Sequence, residues 1–104
     1  MVSLKAEATD ADLERVRAGF LALPSEIPAI KTYELGQDLN LESGQTHPAG
    51  KNRVFSWTLT FDSPEDYETY NSHPNHQSFL KDILKPNMLP GSRAAIQYDL
   101  SKVN

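Results

Sequence analysis

Residues 53–61 constrain the fold more than any other stretch of the chain. Phe55, Trp57, Leu59 and Phe61 alternate strictly with Val54, Ser56, Thr58 and Thr60. Successive side chains of a strand point to opposite faces, so this is a strand with two unlike surfaces. The aromatic face is too large and apolar to meet water and calls for helices over it. The other face is β-branched and mildly polar, unsuited to a core but suited to lie against another sheet. A sheet with helices on one side and a second copy of the chain on the other is the expected arrangement.

The remaining pattern supplies the partners of that strand. Val2, Leu4 and Ala6 alternate with Ser3, Lys5 and Glu7 as a short first strand. Thr9-Asp10-Ala11-Asp12 reads as a helix start, with a capping hydroxyl and acids in the first turn. Leu13, Val16, Phe20 and Leu23 follow at helical spacing, and Pro24 is expected to stop the helix. A second strand is expected over 30–36, with Tyr33 and Leu35 on one face and Thr32 and Glu34 on the other. Residues 37–52, containing His47-Pro48, form a long loop.

After the strongest strand, Ser63-Pro64-Glu65-Asp66 opens a short helix with a cap, a proline in the first turn and early acids. His73-Pro74 restarts the chain into a further helical run from about Asn75, striped by Phe79, Leu80, Ile83 and Leu84 and ended by Pro86. Pro90-Gly91 is a turn, and Ala94, Ile96, Tyr98 and Leu100 alternate as a last strand. The order is β-α-β-β-α-β. It predicts an α+β, ferredoxin-like fold in one domain over 1–104, a four-stranded antiparallel sheet with helices on one face.

Charge and composition exclude several functions. Ten basic residues are scattered among fourteen acidic ones, for a net charge of −4, with no basic cluster to neutralise phosphates, so nucleic acid is not an expected partner. No apolar run approaches a membrane span and the N-terminus lacks the apolar core of a secretory signal, so a cytoplasmic protein without a membrane partner is expected. The chain has no cysteine and hence no thiol chemistry.

Polar chemistry concentrates in Tyr70-Asn71-Ser72-His73-Pro74-Asn75-His76. A histidine in the first turn of a helix feels the positive end of the helix dipole, which disfavours imidazolium, and apolar surroundings act the same way. A neutral imidazole is what a general base requires near neutral pH. His73, before Pro74, reads as a helix-start residue. His76 reads equally as a base or as a hydrogen-bonded core histidine, and Tyr70 as an oxygen partner or as core. His73 and His76 are spaced i,i+3, but no third ligand is indicated beside them or His47, so no metal is expected.

These segments resemble a family. Ile27-Pro28-Ala29-Ile30-Lys31, Thr60-Phe61-Asp62-Ser63, and Tyr70 with His73-Pro74-Asn75-His76 are similar to the stress-responsive dimeric α+β barrel (Dabb) family, and within it to the olivetolic acid cyclase-like polyketide cyclases. The resemblance implies a homodimer whose sheets pack face to face as a barrel, with a pocket between each sheet and its helices. It implies intramolecular aldol cyclisation of an apolar, oxygenated small molecule with neither metal nor organic cofactor. By motif position it makes His76 the base and Tyr70 the partner of a substrate oxygen. Phe20, Tyr33, Phe55, Trp57, His73 and Phe79 are then the pocket walls.

The chain departs from that branch at two positions. Phe55 stands where the cyclase has a histidine, and Phe20 where it has a tyrosine. Two other functions share the barrel: a non-catalytic, stress-related or small-molecule-binding dimer, and a cofactor-free monooxygenase, for which Trp57 is the relevant group.

Overall fold

The computed structural model of the chain describes residues 1–43 and 54–99. His47, Arg53, Leu100 and most of the expected loop lie outside the described residues.

Helix α1 spans Asp10–Glu26 and starts at a capping box. The Thr9 hydroxyl accepts from the Asp12 amide at 3.1 Å while the Asp12 carboxylate accepts from the Thr9 amide at 3.0 Å. These bonds, from the Thr9 backbone first, hold the Asp12 carboxyl below its usual pKa. Val16, Phe20 and Leu23 form its buried stripe. Pro24 does not stop the helix, contrary to the sequence expectation. So near the C-terminus it removes one amide donor, and the Ile27 amide still closes onto the Leu23 carbonyl at 2.9 Å.

Strands β1 (Thr32–Gln37) and β2 (Phe55–Thr60) pair antiparallel with Thr32 opposite Thr60, Leu35 opposite Trp57 and Gln37 opposite Phe55. This register puts Tyr33, Leu35, Phe55, Trp57 and Leu59 on the helix side. Thr32, Glu34, Ser56 and Thr58 are exposed on the other face.

Only two regular strands form among the described residues, where the sequence pattern predicts four. The segments expected to be the other two are in place but pair only locally. Val2 exchanges backbone hydrogen bonds with Phe55, at 3.0 Å each, and its carbonyl also takes the Val54 amide at 2.7 Å. Two amides on one carbonyl break the regular ladder. Beyond it, Lys5 donates to Asn87 and Leu89 to Ser3, partners at a helix end rather than on a strand. Ala94 bonds mutually with Met1, and Ile96 and Tyr98 then run past it, 79% and 68% exposed. The lateral order is therefore C-terminal segment, N-terminal segment, β2, β1, as in a ferredoxin-like sheet.

Helix α2 (Pro64–Ser72) is capped by Ser63, whose hydroxyl accepts from the Asp66 amide at 3.2 Å. Helix α3 (Pro74–Phe79) widens into a π-helical turn over Leu80–Leu84 and finishes as α4 (Lys85–Asn87). Pro86 lies inside that last turn rather than ending the run before it, since a proline early in a helical turn removes no needed donor.

The core lies between α1, the π turn and β2, with Val16, Leu23, Ile27 and Phe55 almost fully buried. Phe79 packs directly on Gly19 of α1: a Cβ there would stand 2.4 Å from the Phe79 ring.

Candidate functional site

The break between α2 and α3 builds the site. His73 caps α3, its Nδ1 accepting from the Asn75 amide at 3.1 Å, and Pro74 follows in the first turn. With the Asn75 amide so engaged, the Asn71 carbonyl near the end of α2 is free for side chains of the next helix. His76 Nδ1 reaches it at 3.0 Å and Gln77 Nε2 at 2.5 Å. The sequence expectation of a helix-start role for His73 matches this geometry.

A carbonyl only accepts, so His76 Nδ1 is the donor and carries the proton of the neutral ring. The lone pair of that tautomer is on Nε2, which makes no hydrogen bond among the described residues. The side chain is buried, and this burial is the main cause of a lowered pKa. The bond to Asn71 opposes the shift, while the guanidinium of Arg93 and then the electrostatic effect of His73 reinforce it. The imidazole is held neutral near pH 7, with Nε2 as its basic atom.

Tyr70 stacks beside it, ring centroids 4.2 Å apart and planes tilted 34°. Its phenol oxygen accepts from Trp57 Nε1 at 3.2 Å, which leaves the phenol's own proton to donate. Desolvation raises the Tyr70 pKa, against the opposing Trp57 bond, so the hydroxyl stays protonated.

The expected wall residues divide. Phe20 meets Trp57 at 5.2 Å, Phe79 at 4.8 Å and Phe55 at 5.9 Å between ring centroids, forming a continuous aromatic core. Phe20, Phe55 and Phe79 are all buried. Tyr33 is 52% exposed, and its ring contact among the described residues is with Trp57, 5.9 Å away between centroids. With Phe55 it instead lines a separate cleft of about 150 Å³, shared with Arg17, Leu21, Glu34, Leu35 and Gln37. That cleft touches neither His76 nor Tyr70 and is smaller than the several hundred cubic ångströms of a typical ligand pocket.

Two influences on the site escape the sequence pattern. Trp57 is a hydrogen-bond donor to Tyr70 as well as a wall, a role signalled by an indole N–H on an inward face, which needs an acceptor. Arg93 acts electrostatically on both Tyr70 and His76 although it is seventeen or more residues away in sequence. Among the described residues no cluster of three His, Asp or Glu side chains has metal-binding geometry.

Residues 1–99 match the stress responsive A/B barrel domain. The chain belongs to this family. Its solved relatives carry the same fold. A dimeric ferredoxin-like protein of unknown function from Thermobifida fusca YX is 28% identical, with a TM-score of 0.76 over 96% of this chain and 85% of that one. A dimeric protein of unknown function with a ferredoxin-like fold from Bacteroides fragilis NCTC 9343 is 26% identical, with a TM-score of 0.70 over 95% and 89%. A protein from Arabidopsis thaliana, at 22% identity, superimposes with a TM-score of 0.77 over 99% and 92%. No curated protein matches the chain. The A/B barrel chain is thus ferredoxin-like in fold, and among its described residues no helix is long and apolar enough to cross a membrane.

Proposed function

We propose that this A/B barrel protein is a cofactor-free, general-base enzyme of the polyketide-cyclase kind, working as a homodimer on an apolar, oxygenated small molecule. The carrying observation is the tautomer of His76: the Asn71 carbonyl holds Nδ1–H and leaves a neutral Nε2 on a ring that stacks against the ring of Tyr70. In this reading Nε2 takes a proton from a methylene between two carbonyls of a linear polyketide. The enolate carbon attacks a distal carbonyl of the same molecule, forming the new C–C bond. The resulting alkoxide recovers the proton from the imidazolium, and the Tyr70 hydroxyl donates to a substrate oxygen as negative charge develops.

The dimer is supported by the exposed Thr32, Glu34, Ser56 and Thr58 face, by the exposed Ile96 and Tyr98, and by the dimeric state of the Thermobifida and Bacteroides relatives. The deciding experiment offers a linear poly-β-keto substrate to wild type and His76→Ala and follows cyclised product by mass spectrometry. Product from wild type, and its loss in a His76→Ala protein that still folds and dimerises, is expected. Equal product from both proteins, or none from wild type, overturns the reading.

A non-catalytic binding dimer is the second reading, favoured by one observation: His76 also closes the open end of α2 through Asn71. In that case His76→Ala lowers the melting temperature and there is no turnover to lose.

A further inference from the structure

Two side chains of α3 meet at one oxygen of α2. The Asn71 carbonyl takes His76 Nδ1–H at 3.0 Å and Gln77 Nε2–H at 2.5 Å. The Asn75 amide, its donor if α2 ran on unbroken, is held by His73 Nδ1 instead. A carbonyl oxygen has two lone pairs, so the two side chains fill it. They come from different surroundings: His76 is buried and Gln77 is exposed. The Gln77 amide therefore stands on the solvent side of the shared oxygen, where water would otherwise donate.

We propose that Gln77 is a positioning residue of the candidate site. Its amide occupies the outer lone pair of the Asn71 carbonyl, excludes water from the Asn71–His76 hydrogen bond, and so holds the His76 ring with Nδ1 protonated and Nε2 bare. The inference rests on the general-base reading above and assigns what keeps the base in its reactive tautomer. Which nitrogen of a neutral imidazole carries the proton is set by the hydrogen bond the ring makes. The other tautomer would turn a nitrogen lone pair against the carbonyl oxygen. That repulsion is strongest while the oxygen cannot swing toward water. Gln77 ties it in place across the break between α2 and α3, from six residues further along the chain.

The test reads the ring nitrogens of His76 by NMR in isotopically labelled full-length protein, at about pH 8, where the imidazole is neutral. Gln77→Met keeps the side-chain length and the helix propensity but has no donor. The ratio of Nδ1–H to Nε2–H rings is expected to fall by about two- to tenfold, as for the loss of one net hydrogen bond. Gln77→Lys brings a donor back and is expected to restore the ratio. An unchanged ratio in Gln77→Met, an equal fall in Gln77→Lys, or a wild-type ring protonated at Nε2 overturns the inference. A role in helix stability alone leaves the ratio unchanged, whatever it does to the melting temperature. The cyclase reading is judged separately, because the measurement needs no substrate. A ratio that depends on Gln77 in a protein without cyclised product keeps the positioning role and rejects the chemistry. An unchanged ratio in a protein that forms product does the reverse.

Discussion

The indole N–H of Trp57 donates to the phenol oxygen of Tyr70 at 3.2 Å, tying the middle of β2 to the last turn of α2. Tyr70 in turn stacks on His76 across the break between α2 and α3. The strand with the clearest alternation in the chain thus sets the position of the phenol, and the phenol sets one wall of the imidazole.

Breaking that bond from its two ends has different consequences. Trp57→Phe keeps an aromatic ring beside Phe20 but removes the donor together with part of the indole's bulk, leaving Tyr70 free to rotate or to meet water. A loss of about 0.5–1.5 kcal/mol is expected. Tyr70→Phe leaves the Trp57 N–H without its acceptor in a half-buried place, and a loss of about 1–3 kcal/mol is expected. Urea unfolding of the two single variants and the double variant measures the coupling. A coupling energy of zero shows that the contact does not contribute.

His76 makes stability depend on pH. Its folded pKa lies below the ordinary 6.5, chiefly through burial. Between those two values the unfolded chain binds more protons than the folded one, so protons favour unfolding there. The contribution of neutral His76 is complete above pH 6.5 and is lost as pH falls toward the folded value, with a slope of at most about 1.4 kcal/mol per pH unit. Unfolding free energies from pH 7.5 down to 5 are expected to fall more steeply for wild type than for His76→Gln. Parallel curves refute the assignment. If His76 is the base, the acid limb of kcat/KM lies below pH 6.5 as well.

His73 is expected to act on stability and not on chemistry. Its Nδ1 takes the Asn75 amide at the start of α3. His73→Ala leaves that amide without its cap, and caps of this kind are worth about 0.5–2 kcal/mol. His73→Asp supplies another acceptor and is expected to recover most of the loss. Thermal melts of the two variants decide it. Equal melting temperatures for His73→Ala and wild type show that water replaces the cap at no cost.

Gly19 gives the sharpest packing prediction. An alanine in a helix interior ordinarily gains about 1 kcal/mol over glycine. Here the added methyl would stand 2.4 Å from the Phe79 ring, which is itself wedged against Phe20 at 4.8 Å. The ring cannot withdraw without disturbing the aromatic core, and overpacking of this type costs about 1–3 kcal/mol. Gly19→Ala is expected to be destabilised on balance, by denaturant titration. A more stable variant shows that α1 and α3 move apart freely.

The sequence pattern was most legible where residues act through periodicity or local caps. Phe55, Trp57 and Leu59 took the inward face that their alternation predicts, and Thr9, Ser63 and His73 cap the helices that follow them. The outer strands were less legible because their regularity depends on neighbours. The alternation of Ala94, Ile96 and Tyr98 is sound, yet a strand needs a second backbone beside it, and only Ala94 has one in the described protomer. Pro24 shows a related limit, since the penalty of a proline depends on how many helical bonds still follow it. At the candidate site, the pairing of His76 with Tyr70 is legible because the two are close in sequence. The electrostatic influence of Arg93 is not legible, because its neighbour Ser92 is joined to the N-terminal segment by a hydrogen bond to Ser3, 89 residues away.

The outward face of β1 and β2 carries the last prediction. Thr58 lies opposite Glu34 on this exposed face. Thr58→Lys puts an ammonium beside the Glu34 carboxylate, a favourable cross-strand pair within the protomer. If a second sheet packs there, the same long ammonium side chain must be fitted into the interface and desolvated, a cost that its pair with Glu34 offsets only in part. The substitution therefore separates association from folding. Wild type is expected to sediment as a dimer at micromolar concentration, and Thr58→Lys as a monomer with an unchanged far-UV spectrum. A Thr58→Lys protein that remains dimeric moves the interface off this face, and a wild-type monomer removes the dimer from the proposal altogether.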